Sequence, residues 1–332
     1  MVGLDSILGY VGFVSTLLGW FPSNPDKAEV RVKFWAGRDG FEGPNAPPLW
    51  SAGGDLPKID VRSTANKWIG KTENNLWIDS NALLQTDVKL SGNEEINYLT
   101  LTSDRTDASC LALIGWTPND SSPKGDKRKG YIIGDLFRLC GFAWNHSGQT
   151  VEVASTGIEE YVNCGWMVRD RAGFAGQLNI NLDVMGEGYI KNYKGKDLCY
   201  WGVTLRSGKS GRPSERSLSS SDGHLAAFGN QVRVHKSLSA IDLCDSPTSW
   251  GSSFFSIEEG VFCDMSTKTK IPLCKAGETK GCFVYEKPIE NGRGGYSTKR
   301  NVGVRGSTVR YNATYLVTSD QNGRVIDDGR GY

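Results

Sequence analysis

From residue 28 onward the chain alternates. Val30, Val32 and Phe34 are apolar and Glu29, Arg31 and Lys33 between them are charged, a period of two that predicts a strand with one dry and one wet face. The same alternation predicts strands at 59–62, 76–78, 86–90, 96–102, 110–116, 150–154, 165–169, 178–184 and 199–205. Clusters of Gly, Pro, Asn and Asp stand between them, at 37–43, 47–48, 53–54, 119–125 and 186–188. Short strands at this spacing point to a mainly β fold, a β-sandwich of jelly-roll-like character. Residues 207–223 (SGKSGRPSERSLSSSDG) hold almost no apolar side chain and read as a linker or long exposed loop. Beyond it, Leu238, Ile241, Leu243 and Cys244 allow one short helix, and strands are expected at 261–263, 282–285 and 308–319.

The beginning of the chain follows another rhythm. Leu4, Ile7, Leu8, Val11, Val14, Leu18 and Phe21 recur at helical spacing, and Pro22 and Pro25 end the run. No Lys or Arg precedes Lys27 and no small-residue cleavage site follows, so a signal sequence and a retained anchoring helix both remain open. Under the second reading residues 4–21 are where a membrane would be touched. The organisation expected is therefore an apolar helix or signal-like segment at 1–26, a β-sandwich domain at 27–206, the linker at 207–223, and a smaller cysteine-containing β-rich region at 224–332.

Charge narrows the partners. The 38 Lys and Arg balance 37 Asp and Glu, so no bulk field draws in nucleic acid, and the basic stretch 124–129 lacks the interleaved aromatics that would bind it. The 41 glycines in 332 residues exceed the usual ~7% and suit many tight turns between strands.

Eight cysteines, Cys110, Cys140, Cys164, Cys199, Cys244, Cys263, Cys274 and Cys282, are even in number, and no two are spaced as in a zinc knuckle. Disulfides in an oxidising compartment are the expected use. The linker splits the cysteines four and four, each set allows three connectivities, and bonding between sequential neighbours is expected: 110 with 140, 164 with 199, 244 with 263, 274 with 282. Sequons at Asn119, Asn145 and Asn312 are glycosylation candidates that agree with export.

The stretches at 53–61 (GGDLPKIDV), 107–118 (DASCLALIGWTP), 134–144 (GDLFRLCGFAW), 164–170 (CGWMVRD) and 243–274 resemble a family of uncharacterised fungal proteins, over most of residues 8–285. A G-D-W-G-x-x-C pattern of that family is met by Gly134 to Cys140 with Leu136 in place of the aromatic, and its C-x-W-(I/V) motif by Cys164 to Val168. The resemblance implies a shared disulfide-bearing β fold and extracellular life, and it brings no activity with it.

Catalytic constellations are scarce. The adjacent pairs Glu94-Glu95, Glu159-Glu160 and Glu258-Glu259 place neighbours on opposite faces of a strand, which is not the facing dyad glycoside hydrolysis needs. His146 lies inside a sequon, which argues for exposure, and neither His224 nor His235 accompanies a nucleophile elbow. Asp residues in turns are explained by Asx hydrogen bonding, so no metal and no cofactor is expected. Ten tryptophans leave room for exposed ones. Trp77, Trp144 and Trp166 with polar neighbours, Trp35 on the outer face of its strand, and Asp170 beside Arg169 are the ligand-binding candidates.

The function expected is a secreted or cell-surface, non-enzymatic binding or structural protein whose ligand is a glycan, a cell-wall polymer or a host protein. The alternatives are a carboxylate-dependent, glycosidase-like hydrolase and a membrane-acting toxin or effector using residues 4–21.

Overall fold

The computed structural model describes residues 28–37, 52–72, 75–92, 94–118, 129–153, 158–169, 171, 173–182, 199, 203–207, 231–235, 238–275, 281–284, 290–291, 295–296, 301–304 and 310–313. The expected N-terminal helix, the linker beyond Ser207, Asn119, Asp170 and His224 lie outside these residues. The chain divides into two compact units, one up to residue 214 without 39–50 and one built mainly from residues beyond it.

The first unit contains β1 (Glu29–Ala36), β2 (Gly54–Asp55), β3 (Lys58–Ser63), β4 (Trp68–Lys71), β5 (Trp77–Ile78), β6 (Leu83–Lys89), β7 (Ile96–Thr102), β8 (Ser109–Pro118) and β9 (Lys129–Ile132). Helix α1 (Ile133–Cys140) and strands β10 (Trp144–Val153), β11 (Ile158–Met167), β12 (Ala175–Asn181) and β13 (Val203–Ser207) complete it. Eleven of these strands form one sheet, whose path runs β4-β3-β7-β12-β11-β8-β1-β6, with β10 on β11, β13 on β12 and β9 on β8.

The two ends of that path meet. Gly70 of β4 and Leu90 beyond β6 form an antiparallel bridge, and the Ser91 N–H donates to the Ile69 carbonyl at 2.7 Å. A β-carbon on Gly70 would lie 2.7 Å from the Lys89 carbonyl oxygen, so only glycine lets the seam come this close. The mainly β reading holds, and its large sheet is a near-barrel. A single sheet curled on itself differs from the two facing sheets of a jelly roll, and near-closure leaves few strand edges unpaired.

The alternation that predicts the strands also fills this near-barrel. Val30, Val32 and Phe34 of β1, Ile59 and Val61 of β3, Leu99 and Leu101 of β7, and Leu178 and Ile180 of β12 are all buried, at alternate positions of their strands. At about 25 cal/mol per Å² of apolar surface removed from water, each such side chain contributes roughly 1.5–3 kcal/mol. Helix α1, which the alternation does not reveal, buries Ile133, Leu136 and Phe137.

The second unit contains β14 (Gln231–His235), α2 (Ala240–Asp245), β15 (Ser253–Ser256), β16 (Val261–Asp264), β17 (Thr269–Pro272), β18 (Phe283–Val284), β19 (Glu290–Asn291), β20 (Gly295–Tyr296), β21 (Asn301–Val304) and β22 (Arg310–Ala313). A seven-stranded sheet runs β17-β16-β15-β14-β22-β21-β18, and β19 pairs β20 separately. Phe254, Phe255, Phe262 and Phe283 are its fully buried anchors, with the rings of Phe262 and Phe283 stacked at 3.9 Å. Helix α2 is the short helix the sequence predicts. The Ser239 hydroxyl accepts from the Asp242 N–H at 3.0 Å, and a Glu259 carboxylate oxygen accepts from the Ile241 N–H at 3.0 Å, satisfying the first-turn donors.

All eight cysteines are paired, and no bridge crosses from one set of four to the other. Cys244–Cys263 and Cys274–Cys282 join as expected. In the first unit the pairing is Cys110–Cys164 and Cys140–Cys199 instead of sequential neighbours. The reason is strand order: β8 and β11 are adjacent, which brings Cys110 and Cys164 to 5.3 Å between α-carbons, while Cys140 ends α1.

Candidate functional site

Strands β2 and β5 form a two-residue ribbon in which Trp77 stands opposite Asp55. Residues opposite one another in an antiparallel pair share a face, so the indole and the carboxylate lie side by side. Trp77 is 50% exposed, and its Nε1–H donates to the Asp79 carboxylate at 3.1 Å. The ring is thus held by its edge and half exposed to solvent.

The Asp55 side is built more deeply. Arg105 places Nη1 3.2 Å from the Asp55 carboxylate, and the Ser109 hydroxyl donates to the Asp55 carbonyl at 3.0 Å. Asp107 completes the group. Burial pushes its carboxyl above the ordinary carboxylate range, and the negative charge of Asp55 pushes it further in the same direction. The loop that carries Arg105 and Asp107 is pinned at its start. Lys58 pairs with Asp104 at 2.6 Å and holds that carboxyl below its ordinary value, while Arg169 donates through Nη1 to the Asp104 carbonyl and through its backbone N–H to the Arg105 carbonyl.

An exposed aromatic face edged by two carboxylates and a guanidinium is the chemistry that grips a polyhydroxylated ring: C–H groups against the indole, hydroxyls donating to Asp and accepting from Arg. Sequence reading finds Trp77 and misses Asp55, Arg105 and Asp107. Asp55 lies within the GGDLP stretch, but two-residue strands give no periodicity to place it.

The other candidates separate by burial. Trp35 is half-buried on β1 opposite Leu83. Trp144 and Trp166 are buried in the core, where Trp144 carries the Arg138 guanidinium 4.6 Å from its ring centroid. They are packing residues, not a surface. Trp68, which the sequence reading does not single out, is 50% exposed on β4.

The sequon at 145–147 is the largest departure. Asn145 is 2% exposed, and its Oδ1 accepts from the His146 N–H at 2.8 Å. His146, expected at the surface, is buried as well. Its Nδ1 lies 2.9 Å from the Asn163 Oδ1, and Asn163 Nδ2 donates to Asp135 at 2.6 Å, so an Asp–Asn–His chain ties α1 to β10 and β11. Between His146 and Gln149 the β10–β11 register slips, and Ser147 and Gly148 form the bulge that turns these polar groups inward. Asn312 lies on β22 and His235 on β14.

Of the paired carboxylates, Glu94 binds Lys67 at 2.7 Å at the surface and Glu259 caps α2, which are structural uses. Among the described residues no group of three or more His, Cys, Asp or Glu side chains is arranged to hold a metal ion, and no helix is long and apolar enough to cross a membrane. Neither the family models nor the curated proteins compared with this chain match it.

Proposed function

We propose that this chain is a secreted or cell-surface, non-enzymatic binding protein whose ligand is a glycan or cell-wall polymer, taken up on Trp77 with Asp55, Asp79 and Arg105 around it. The observation that carries the reading is the half-exposed indole fixed at its edge by Asp79 and set beside Asp55. Four disulfides fit an oxidising, extracellular type of environment, in keeping with the fungal proteins the sequence resembles. Titration calorimetry against a panel of neutral and amino-sugar oligosaccharides tests it. Binding that Trp77→Ala abolishes supports the proposal, and a full panel without binding defeats it.

A second reading draws on one further observation. Asp107, whose carboxyl is raised first by burial and then by the negative charge of Asp55, makes with Asp55 a pair of neighbouring carboxylates, the kind of group carboxylate-dependent hydrolases use. Reducing-sugar release that disappears in Asp107→Asn would favour the hydrolase. Binding without turnover favours the binding protein.

A further inference from the structure

The outward positions of β4, β3, β7 and β12 fall into register. Trp68 stands opposite Arg62, Arg62 opposite Tyr98, and Tyr98 opposite Asn181. The next row is Lys71, Asp60, Thr100 and Asn179, in which Thr100 is covered by its neighbours, and the third holds Lys58, Thr102 and Gln177. The intervening residues Ile59, Val61, Leu99, Leu101, Leu178 and Ile180 all point inward, so this face is polar by construction.

A bulge sets its aromatic edge. The β3–β4 register shifts between Val61 and Arg62, which buries Ile69 and turns Trp68 outward beside Arg62. The guanidinium lies 3.8 Å from the centroid of the indole, with Nη1 donating to Asn66 Oδ1 at 3.0 Å. The hydroxyls and amides behind it are oriented by one another. Thr100 donates to Asn179 Oδ1 at 2.7 Å, and Asn181 and Gln177 reach Tyr98 and Thr102 at 3.4 Å.

Two features define what fits. Trp68 and Tyr98 are two strands apart, about 10 Å at ~4.8 Å per strand, roughly the length of a disaccharide unit. Arg62 and Lys71 outnumber Asp60 on the same face, the charge of Lys58 being met by Asp104, and Lys71 is exposed. We infer that this face is a second binding surface, separate from Trp77, for a linear acidic polysaccharide whose rings lie on Trp68 and Tyr98 and whose carboxylates meet Arg62 and Lys71. Neutral glycan chains lack the partner for the cations, and the cationic excess is local, because the whole chain carries a net charge of +1.

The test is affinity electrophoresis and calorimetry of the intact protein with polygalacturonate, with a neutral β-glucan as the comparison. The expected result is retention by polygalacturonate that weakens about tenfold in Trp68→Ala, as a lost stacking contact predicts, and that falls and loses part of its salt dependence in Lys71→Gln. The measurements are repeated in the Trp77→Ala protein, whose first site is removed, so that retention by the second face and failure of the Trp77 site are distinguishable. Lys71→Gln alters an exposed side chain and keeps the test intact should Trp68→Ala unfold. In the Trp77→Ala protein, no retention, equal retention on the neutral glucan, or retention indifferent to Trp68→Ala and Lys71→Gln overturns the inference.

Discussion

Gly134 stands so close to Asn163 that a β-carbon at position 134 would lie 2.0 Å from the Asn163 carbonyl carbon. The backbone of α1 rests directly on β11, next to the Asp135–Asn163–His146 chain. Gly134→Ala must push the helix off the strand and break that chain, and a loss of about 3 kcal/mol or more is expected. Gly92, which has no atom within 4 Å of the corresponding point, is the control. Urea unfolding of both variants checks the contrast.

Removing the Trp77 side chain should cost binding without costing the fold. The indole is half in water, so Trp77→Ala is expected to change stability by less than about 1 kcal/mol. Glycan affinity should fall at least tenfold, about 1.4 kcal/mol. Asp79→Asn, which keeps an acceptor for the indole Nε1–H, should lose less. Calorimetry beside thermal unfolding separates the two effects.

Lys268 gives the second unit a pH signature. Its Nζ donates to the carbonyls of Leu243 at 3.2 Å and Ser249 at 2.7 Å, and burial pushes the amine from 10.5 down to about 7. Between those values the unfolded chain binds the proton and the folded chain does not, so stability rises with pH through that window, by at most ~1.4 kcal/mol per unit. Urea midpoints at several pH values from 7 to 10 should show this slope. Lys268→Met should flatten it, and a wild type without slope would refute the assignment.

A glycan at Asn145 has nowhere to go. The side chain is buried and hydrogen-bonded within the bulge that carries His146, so glycopeptide mapping of the folded protein should find Asn145 unmodified. The same unreduced digest should release the Cys110 and Cys164 peptides joined to each other. A Cys110–Cys140 species would contradict the strand order described above.

The strands were legible because burial alternates with period two. Val30, Val32 and Phe34 announce β1, and Ile59 and Val61 announce β3, from the sequence alone. Helix α1 was not legible, since eight residues between two strands leave barely two turns in which a helical period could appear. The sequon misled for a related reason: a polar run normally marks a loop, but here a bulge folds Asn145, His146 and Ser147 into a satisfied interior network. The disulfide pairing depends on which strands become neighbours, a property of the closed sheet and not of spacing. Trp77 was recognisable as a candidate by its acidic neighbour. Its partners Asp55 and Arg105, 22 and 28 residues away, meet it only in three dimensions.

The two bridges of the first unit interleave along the chain: Cys140 falls inside the loop closed by Cys110 and Cys164, and Cys164 inside the loop closed by Cys140 and Cys199. A single endoprotease cut anywhere from 110 to 199 is therefore spanned by at least one covalent tie, and a cut from 140 to 164 by both. Nicked molecules would keep their full mass on an unreduced gel and fall into fragments only after a thiol is added.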